Sequence, residues 1–249
     1  MYSLANVGAV FTSCLFPEFV VRAVDSVRYF YPEMSLVIVH DNPENREQAA
    51  AAFEALDGVE ILYNRERVGA GRAIDRGLRA LSTPLFLTVD HGVELVKAGL
   101  VEVYLSLLNE NERNFCAGML RDDKRCNRAF GPYVDPLFAL WDREFIAGQA
   151  DPYDPQGILS FKLTHIRIGD WQVDGCSTAQ YLQYRALRLG RTQAFITRDE
   201  LRQYLRHYRT PKDRGRCASP HELADVPLGY LSDRLRNLDG SLAYKGERV

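Results

Sequence analysis

Leu85-Phe-Leu-Thr-Val89, ending at Asp90, is the stretch whose reading decides the fold. An unbroken apolar, β-prone run of this length reads as a strand buried on both faces. Leu36-Val-Ile-Val-His40 before Asp41 is a second such run, and Val7-Gly-Ala-Val-Phe-Thr-Ser13, Val59-Glu-Ile-Leu-Tyr63 and Phe115-Cys-Ala-Gly-Met119 read as further strands. Helical spacing fills the gaps. Pro17 opens a helix with Phe19, Val20, Ala23, Val24, Val27 and Phe30 on one side. Pro43 opens a second, with Ala50, Phe53 and Leu56 on one face, closed by Gly58. Gly71 to Leu81 and Leu100 to Leu108 give two more. Strands alternating with helices across short links imply an α/β domain with a mainly parallel sheet covered on both faces. Ligands of such sheets sit beyond the carboxyl ends of the strands, where Asp41 and Asp90 fall.

The second half is less regular. Residues 121–136 are polar, Leu137-Phe-Ala-Leu-Trp141 reads as a strand with a short helix after it, and residues 149–160 read as a loop. Ser177 to Leu189 is a helix stopped by Gly190, and Thr192 to Thr197 a further strand. From Thr210 onward Pro, Gly and charge dominate, which predicts loop with short helices. There is no repeat and no linker, so one domain is expected over 1–249. Its stretches are the regular 1–120, the less regular 121–209 and a basic tail over 210–249.

Composition narrows the class. The 249 residues are 46% hydrophobic and 26% charged, ordinary for a globular chain. No apolar run approaches the ~18 residues of a membrane span, and no secretory signal is visible. Five scattered cysteines without CxxC spacing point to a reducing compartment, so a soluble, cytoplasmic protein is expected. Net charge is −2, but residues 1–184 carry −8 and residues 185–249 carry +6. A basic end on an acidic body suits an anionic partner; it also suits a solvated arginine-rich helix face.

The order of these pieces resembles the GT-A nucleotide-sugar glycosyltransferases, in particular the inverting family 2. Pro17-Glu18-Phe19 followed by Arg22-Ala23-x-Asp25-Ser26-Val27 is similar to that family's first helix. Val37-Ile-Val-His-Asp41-Asn42 is similar to its second strand, and Asn64 to Leu78, with Gly69, Gly71 and Arg72, to the segment before its metal motif. Leu87-Thr-Val-Asp90-His91-Gly92 falls where the family writes Asp-x-Asp, and Arg185-Ala-Leu-Arg-Leu-Gly190 matches its Arg-x4-Gly. The resemblance covers roughly residues 5–200 and implies a nucleotide-sugar-binding half over 1–120 and an acceptor-side half over 121–209. There are two departures: Gly92 replaces the second carboxylate of Asp-x-Asp, and Thr178-Ala179 stand where the family has its Glu-Asp pair.

The resemblance implies transfer of a sugar from a nucleoside-diphosphate donor such as a UDP-sugar, with inversion and with Mn²⁺ or Mg²⁺ as cofactor. Departing diphosphate needs charge stabilisation, which a carboxylate-held divalent cation supplies. Asp90 is the first choice of metal ligand and His207 the second. His91 lies beside the phosphates, and Glu94 is either a water-mediated contact or structural. Thr12, Asp41, Asn64, Gly69 and Arg72 join Asp90 and His91 as the donor set, Asp41 through the base. Asp41 also reads as a helix cap or turn residue. For the catalytic base, Asp174 is the first choice and Asp170 the second; Asp174 equally reads as N-cap of the 177–189 helix. Trp171, Arg206 and Arg209 are acceptor-side candidates. Arg198 to Arg216 holds seven basic and three acidic residues with Tyr204 and Tyr208 between them. That pattern suits a diphosphate or an anionic polymer, DNA included. The acceptor stays open between a polysaccharide or lipid-linked sugar, a peptide and a hydroxylated nucleic-acid base. The rival reading is a sugar-nucleotide-binding protein that has lost catalysis. A nucleotidyltransferase ranks lower, because Thr12-Ser-Cys-Leu-Phe-Pro17 carries no Gly-rich basic loop.

Overall fold

A computed structural model describes residues 1–121, 132–147, 165–168, 171–174, 179–207, 212–213 and 216–217. The order is β1 (Val7–Ser13), α1 (Pro17–Phe30), β2 (Ser35–His40), a 3-10 turn (Pro43–Asn45), α2 (Arg46–Phe53), β3 (Val59–Tyr63), α3 (Ala70–Ala80) and β4 (Leu85–Asp90). Then come β5 (Val93–Leu95), α4 (Leu100–Glu110), β6 (Asn114–Arg121), β7 (Tyr133–Val134), β8 (Phe138–Asp142) and α5 (Arg143–Ala147). A hairpin of β9 (His165–Ile168) and β10 (Trp171–Asp174) precedes α6 (Gln180–Arg188), β11 (Thr192–Ile196), α7 (Arg198–Leu201) and β12 (Leu205–His207).

The central sheet runs β11-β6-β8-β4-β1-β2-β3, with β7 added to β6. β3, β2, β1 and β4 are parallel neighbours, as the apolar runs predict. The irregular half differs: β8 lies antiparallel between β4 and β6, and β11 returns parallel to β6. Trp141 of β8 ties this insertion down, donating Nε1–H to Thr88 Oγ1 of β4 at 3.0 Å. One layer of core lies under α1, α2 and α4; the other lies under α3, α5 and α6. Burial on both faces is why β1, β2 and β4 are apolar without alternation, whereas the edge strand β3 is only half-buried and leaves Glu60 exposed.

Pro17 takes the first helical position of α1, where its missing N–H costs nothing. Gly77 lets α3 lie close on β1: a Cβ there would stand 2.4 Å from Val10 Cγ1. In α2 the buried positions are Ala49 and Phe53, followed by Leu56, while Ala50 is exposed. The inward face thus runs i, i+4, i+7 from 49, one residue earlier than expected. α6 starts at Gln180 with Ala179 as its N-cap residue, so Asp174, at the end of β10, does not cap it. The loop expected at 149–160 lies outside the described residues. No helix among the described residues is long and apolar enough to cross a membrane.

α6 packs on the sheet through Leu182 and Ala186, and the amide of Gln183 adds a polar attachment. Gln183 Oε1 accepts from Val134 N (2.7 Å), and its Nε2 donates to Val134 O (2.7 Å). Val134 faces Leu120 in the β6–β7 register, and Asp135 N donates to Met119 O at 2.9 Å. The polar groups of Val134 therefore point away from β6, and the amide of Gln183 meets them as a neighbouring strand would.

Candidate functional site

Parallel strands end together, so the residues just beyond β1, β2, β3 and β4 share one edge of the sheet. Thr12 stands beside Asp90 in the β1–β4 register and beside Val39 in the β1–β2 register. Asp41 follows β2 and Asn64 follows β3; Asp41 N donates to Ser13 O (2.7 Å) and Asn64 N to His40 O (2.9 Å). Four of the expected donor residues thus come from four different strand ends.

Asp41 is buried and organises the next loop. Its Oδ1 accepts from Asn64 Nδ2 (2.8 Å) and Val68 N (2.8 Å), and its Oδ2 from Gly69 N (2.6 Å). Gly69 sits at φ +87°, ψ 159°, a conformation that only glycine adopts readily, and it leads directly into α3. Arg76 closes the other side, donating to Tyr63 O (2.7 Å) and to Asn64 Oδ1. Arg72 is exposed on the first turns of α3. The turn chemistry expected of Asp41 is therefore present, as a clamp on the 64–69 loop. Oδ2 keeps acceptor capacity beyond its one amide contact.

Asp90 ends β4, and its N–H donates to Leu137 O (2.8 Å). Its Oδ1 accepts from His91 N (2.9 Å) and lies 2.8 Å from His91 Nδ1. His207 comes from far along the chain: β12 pairs antiparallel with β5, setting His207 opposite Val93, and Nε2 reaches 3.6 Å from Asp90 Oδ2. That distance is longer than a formed hydrogen bond. Burial pushes the Asp90 carboxyl up, but the His207 and His91 imidazoles more than offset it and hold it well below the usual carboxylate range. Both Asp90 and His207 remain about one-third exposed.

Glu94 takes a structural place. It is buried in β5 and lies 3.8 Å from Arg22 of α1, while Leu95 N donates to Ser26 Oγ. This anchors the β5–β12 ribbon on α1. Val96 N donates to Tyr204 O (2.8 Å), and Lys97 lies over the Tyr204 ring at 5.1 Å. Arg206, opposite Glu94 in the ribbon, is exposed. Trp171 and Asp174 are the two ends of β10, whereas Asp170 and Arg209 lie outside the described residues.

Two groups at this edge carry no motif in the sequence. His40 is buried, with Nδ1 2.9 Å from Ser13 Oγ and Nε2 3.0 Å from Asn45 Oδ1; Asn45 Nδ2 donates to Leu15 O. The amide assignment of Asn45 places the ring proton on Nε2, and Nδ1 then accepts from Ser13. Burial lowers the pKa of His40, against raising contributions from Asn45, Asn42 and Asp41. The second group is the ion pair of Arg121, at the end of β6, with Asp135. Asp135 Oδ1 also accepts from Leu137 N (3.2 Å), whose carbonyl in turn holds the Asp90 amide.

The chain belongs to glycosyl transferase family 2, whose model matches residues 10–157, more than half of it. Its fold is that of a GT-A domain. A mannosyltransferase from Pyrobaculum calidifontis, solved with GDP-Man and Mn²⁺, superposes with a TM-score of 0.56 at 10% identity, over 78% of this chain and 55% of that one. This chain thus spans about half the length of that enzyme. 4-Diphosphocytidyl-2C-methyl-D-erythritol synthase from Anaerococcus prevotii matches at 0.49 and 13% identity, over 77% and 86% of the two chains. TarS of S. aureus in complex with UDP matches at 0.42 and 11%, over 56% and 47%. No curated protein sequence matches the chain.

Proposed function

We propose that this chain transfers a sugar from a nucleoside-diphosphate sugar, a UDP-sugar in the first instance, to an acceptor hydroxyl with inversion. The observation that carries the reading is the convergence of Thr12, Asp41, Asn64, Asp90 and His207 on one edge of the sheet. Asp41 Oδ2 accepts a base N–H. The Gly69 turn and Arg72 receive the ribose and diphosphate end, an arginine being suited to phosphate oxygens.

Among the described residues no three His, Cys, Asp or Glu side chains form a ready-made cage for an ion. Asp90 and His207 nevertheless fit a divalent cation as a pair. They offer one carboxylate oxygen and one imidazole nitrogen and leave the other positions to phosphate and water, as nucleotide-bound Mg²⁺ and Mn²⁺ sites do. The nitrogen donor favours Mn²⁺. A cation bound there supplies Lewis-acid stabilisation of the departing diphosphate. Asp90 is suited to its share because it stays ionised. His91, bonded to Oδ1, fixes the carboxylate so that Oδ2 faces His207.

The base must come from outside the family's usual position. Ala179 stands there, buried and in the left-handed conformation (φ +66°), and can take no proton. We assign the role to Asp174, then Asp170. That same Ala179 supports the second reading, a sugar-nucleotide-binding protein without turnover.

The test is calorimetric titration of UDP-, GDP- and CDP-sugars with and without Mn²⁺, together with assay of donor hydrolysis. Binding that needs Mn²⁺ and is lost in Asp90→Ala, with the melting profile retained, is expected. Full donor turnover in Asp90→Ala at saturating Mn²⁺ rules out the metal assignment. Tight binding with no turnover on any acceptor favours the second reading.

A further inference from the structure

The side of α3 turned away from the core is built of arginine. Ala73, Ile74, Gly77 and Leu78 face the sheet, whereas Arg72, Arg76 and Arg79 are exposed at i, i+4 and i+7. They form a row about 10 Å long at 1.5 Å rise per residue. Arg65 and Arg67, both exposed, continue it through the loop that Asp41 clamps. Only two acidic residues interrupt the stretch, and one of them, Asp75, is buried, leaving Glu66 at the surface. The row therefore starts at the strand ends where the donor residues gather and runs back along α3.

The chemistry selects among polyanions. No large apolar side chain between residues 63 and 80 is strongly exposed. A helix that lies on a membrane needs an apolar face for the headgroup boundary, and here that face is spent on the sheet. All the basic groups are arginines, whose planar fork pairs with phosphate oxygens two at a time. Their linear spacing suits a chain of regularly repeated charges better than a single anion. We propose that this arginine row binds the sugar–phosphate backbone of a nucleic acid and holds it, as polymeric acceptor, beside the donor edge. The acceptor role rests on the sugar-transfer reading; the binding itself does not.

The test uses the full chain and the variant Arg65→Gln/Arg67→Gln/Arg79→Gln, which leaves Arg72 and the loop-holding Arg76 in place. A fluorescent 20-nucleotide DNA, single- and double-stranded, is titrated by anisotropy between 50 and 200 mM salt. The wild type is expected to bind with a steep salt dependence. Losing three contacts makes the log–log slope on duplex shallower by about 2.7, at roughly 0.9 per phosphate. UDP-sugar affinity and the melting profile stay unchanged. The proposal is overturned if the wild type shows no binding at 50 mM salt. It is overturned if the variant keeps the wild-type slope, which would move binding to another surface. It is also overturned if the wild type binds phosphatidylglycerol vesicles and not DNA, or if the variant loses UDP-sugar affinity in proportion. A wild type that binds DNA through these arginines but neither binds nor turns over any nucleotide sugar refutes the sugar-transfer reading and supports the surface.

Discussion

Replacing Gln183 by Met tests how α6 is held to the sheet. Met keeps the volume and the flexibility of the side chain but offers no amide. The substitution removes both bonds to Val134, a third from Gln193 Nε2 at 2.6 Å and a weak fourth from Cys116 Sγ at 4.0 Å. Val134 is fully buried, so water cannot replace what its N–H and C=O lose. Each buried group left unpaired costs about 1–3 kcal/mol. Burial of the Met thioether in place of an amide returns about 1 kcal/mol. The expected net loss is therefore about 1–5 kcal/mol, or a fall in Tm of roughly 2–20 °C for a chain of this size. Urea unfolding followed by Trp fluorescence and by circular dichroism measures it; the midpoint should fall with an unchanged m-value. Gln193→Met is the control. It removes only the outer bond from a half-buried residue, and about 1 kcal/mol or less is expected. A loss below about 0.5 kcal/mol in Gln183→Met would refute the reasoning, because Val134 would then have other partners. The same variant should also weaken donor binding, since Asp135 follows Val134 and its turn holds the Asp90 amide.

Asp174→Asn is expected to lower kcat much more than donor affinity, because a base acts in the transition state; an unchanged rate removes Asp174 from the mechanism. Gly69→Ala forces a Cβ into a backbone region that disfavours it and should cost about 1–3 kcal/mol. It should also weaken UDP-sugar binding as the Asp41 contact shifts; an unaltered melt and affinity would show that the loop relaxes freely. His40 gives a pH signature. Its folded-state pKa lies below the ordinary value of about 6.5, so the unfolded chain takes up the proton first. Its contribution to stability is then fully present above that value and is lost as pH falls toward the folded-state pKa. Denaturation at pH 7.5 and pH 5 should show a smaller fall for His40→Gln than for the wild type; parallel profiles would count against the assignment.

The parallel half of the sheet was legible because strands buried on both faces must be apolar throughout. Leu36 to His40 and Leu85 to Val89 have no competing reading at that length. Ala50 was misplaced by one position because Ala49, Ala50, Ala51 and Ala52 are chemically identical neighbours, and only packing separates them. β5 and β12 were invisible. Three residues carry no periodic signal, and their pairing spans most of the second half of the chain. The contact of His207 with Asp90 accordingly had no local trace and was approached only through a family resemblance. Gln183 on Val134 and Asp135 beside Arg121 were missed for a related reason. Side-chain contacts to backbone, and pairs between distant strand ends, leave no pattern in the order of residues. Asp41 was legible as a turn residue, since a carboxylate after a buried strand and before Asn-Pro has nearby N–H groups to accept from. Which amides it takes depends on where β3 ends.

The β5–β12 ribbon has a consequence for synthesis. Asp90 and His207 are roughly 120 residues apart in the chain. At 5–20 residues per second, that is on the order of ten seconds of translation. During that interval the parallel strands, the Asp41 clamp and α3 can already assemble, because their contacts are local. A nascent chain therefore carries the Asp41 clamp and the Gly69 turn well before Asp90 meets its second imidazole. The Asp90–His207 contact waits for the polypeptide to come back to β5, so a ribosome stalled before residue 205 presents the strand-end edge without it.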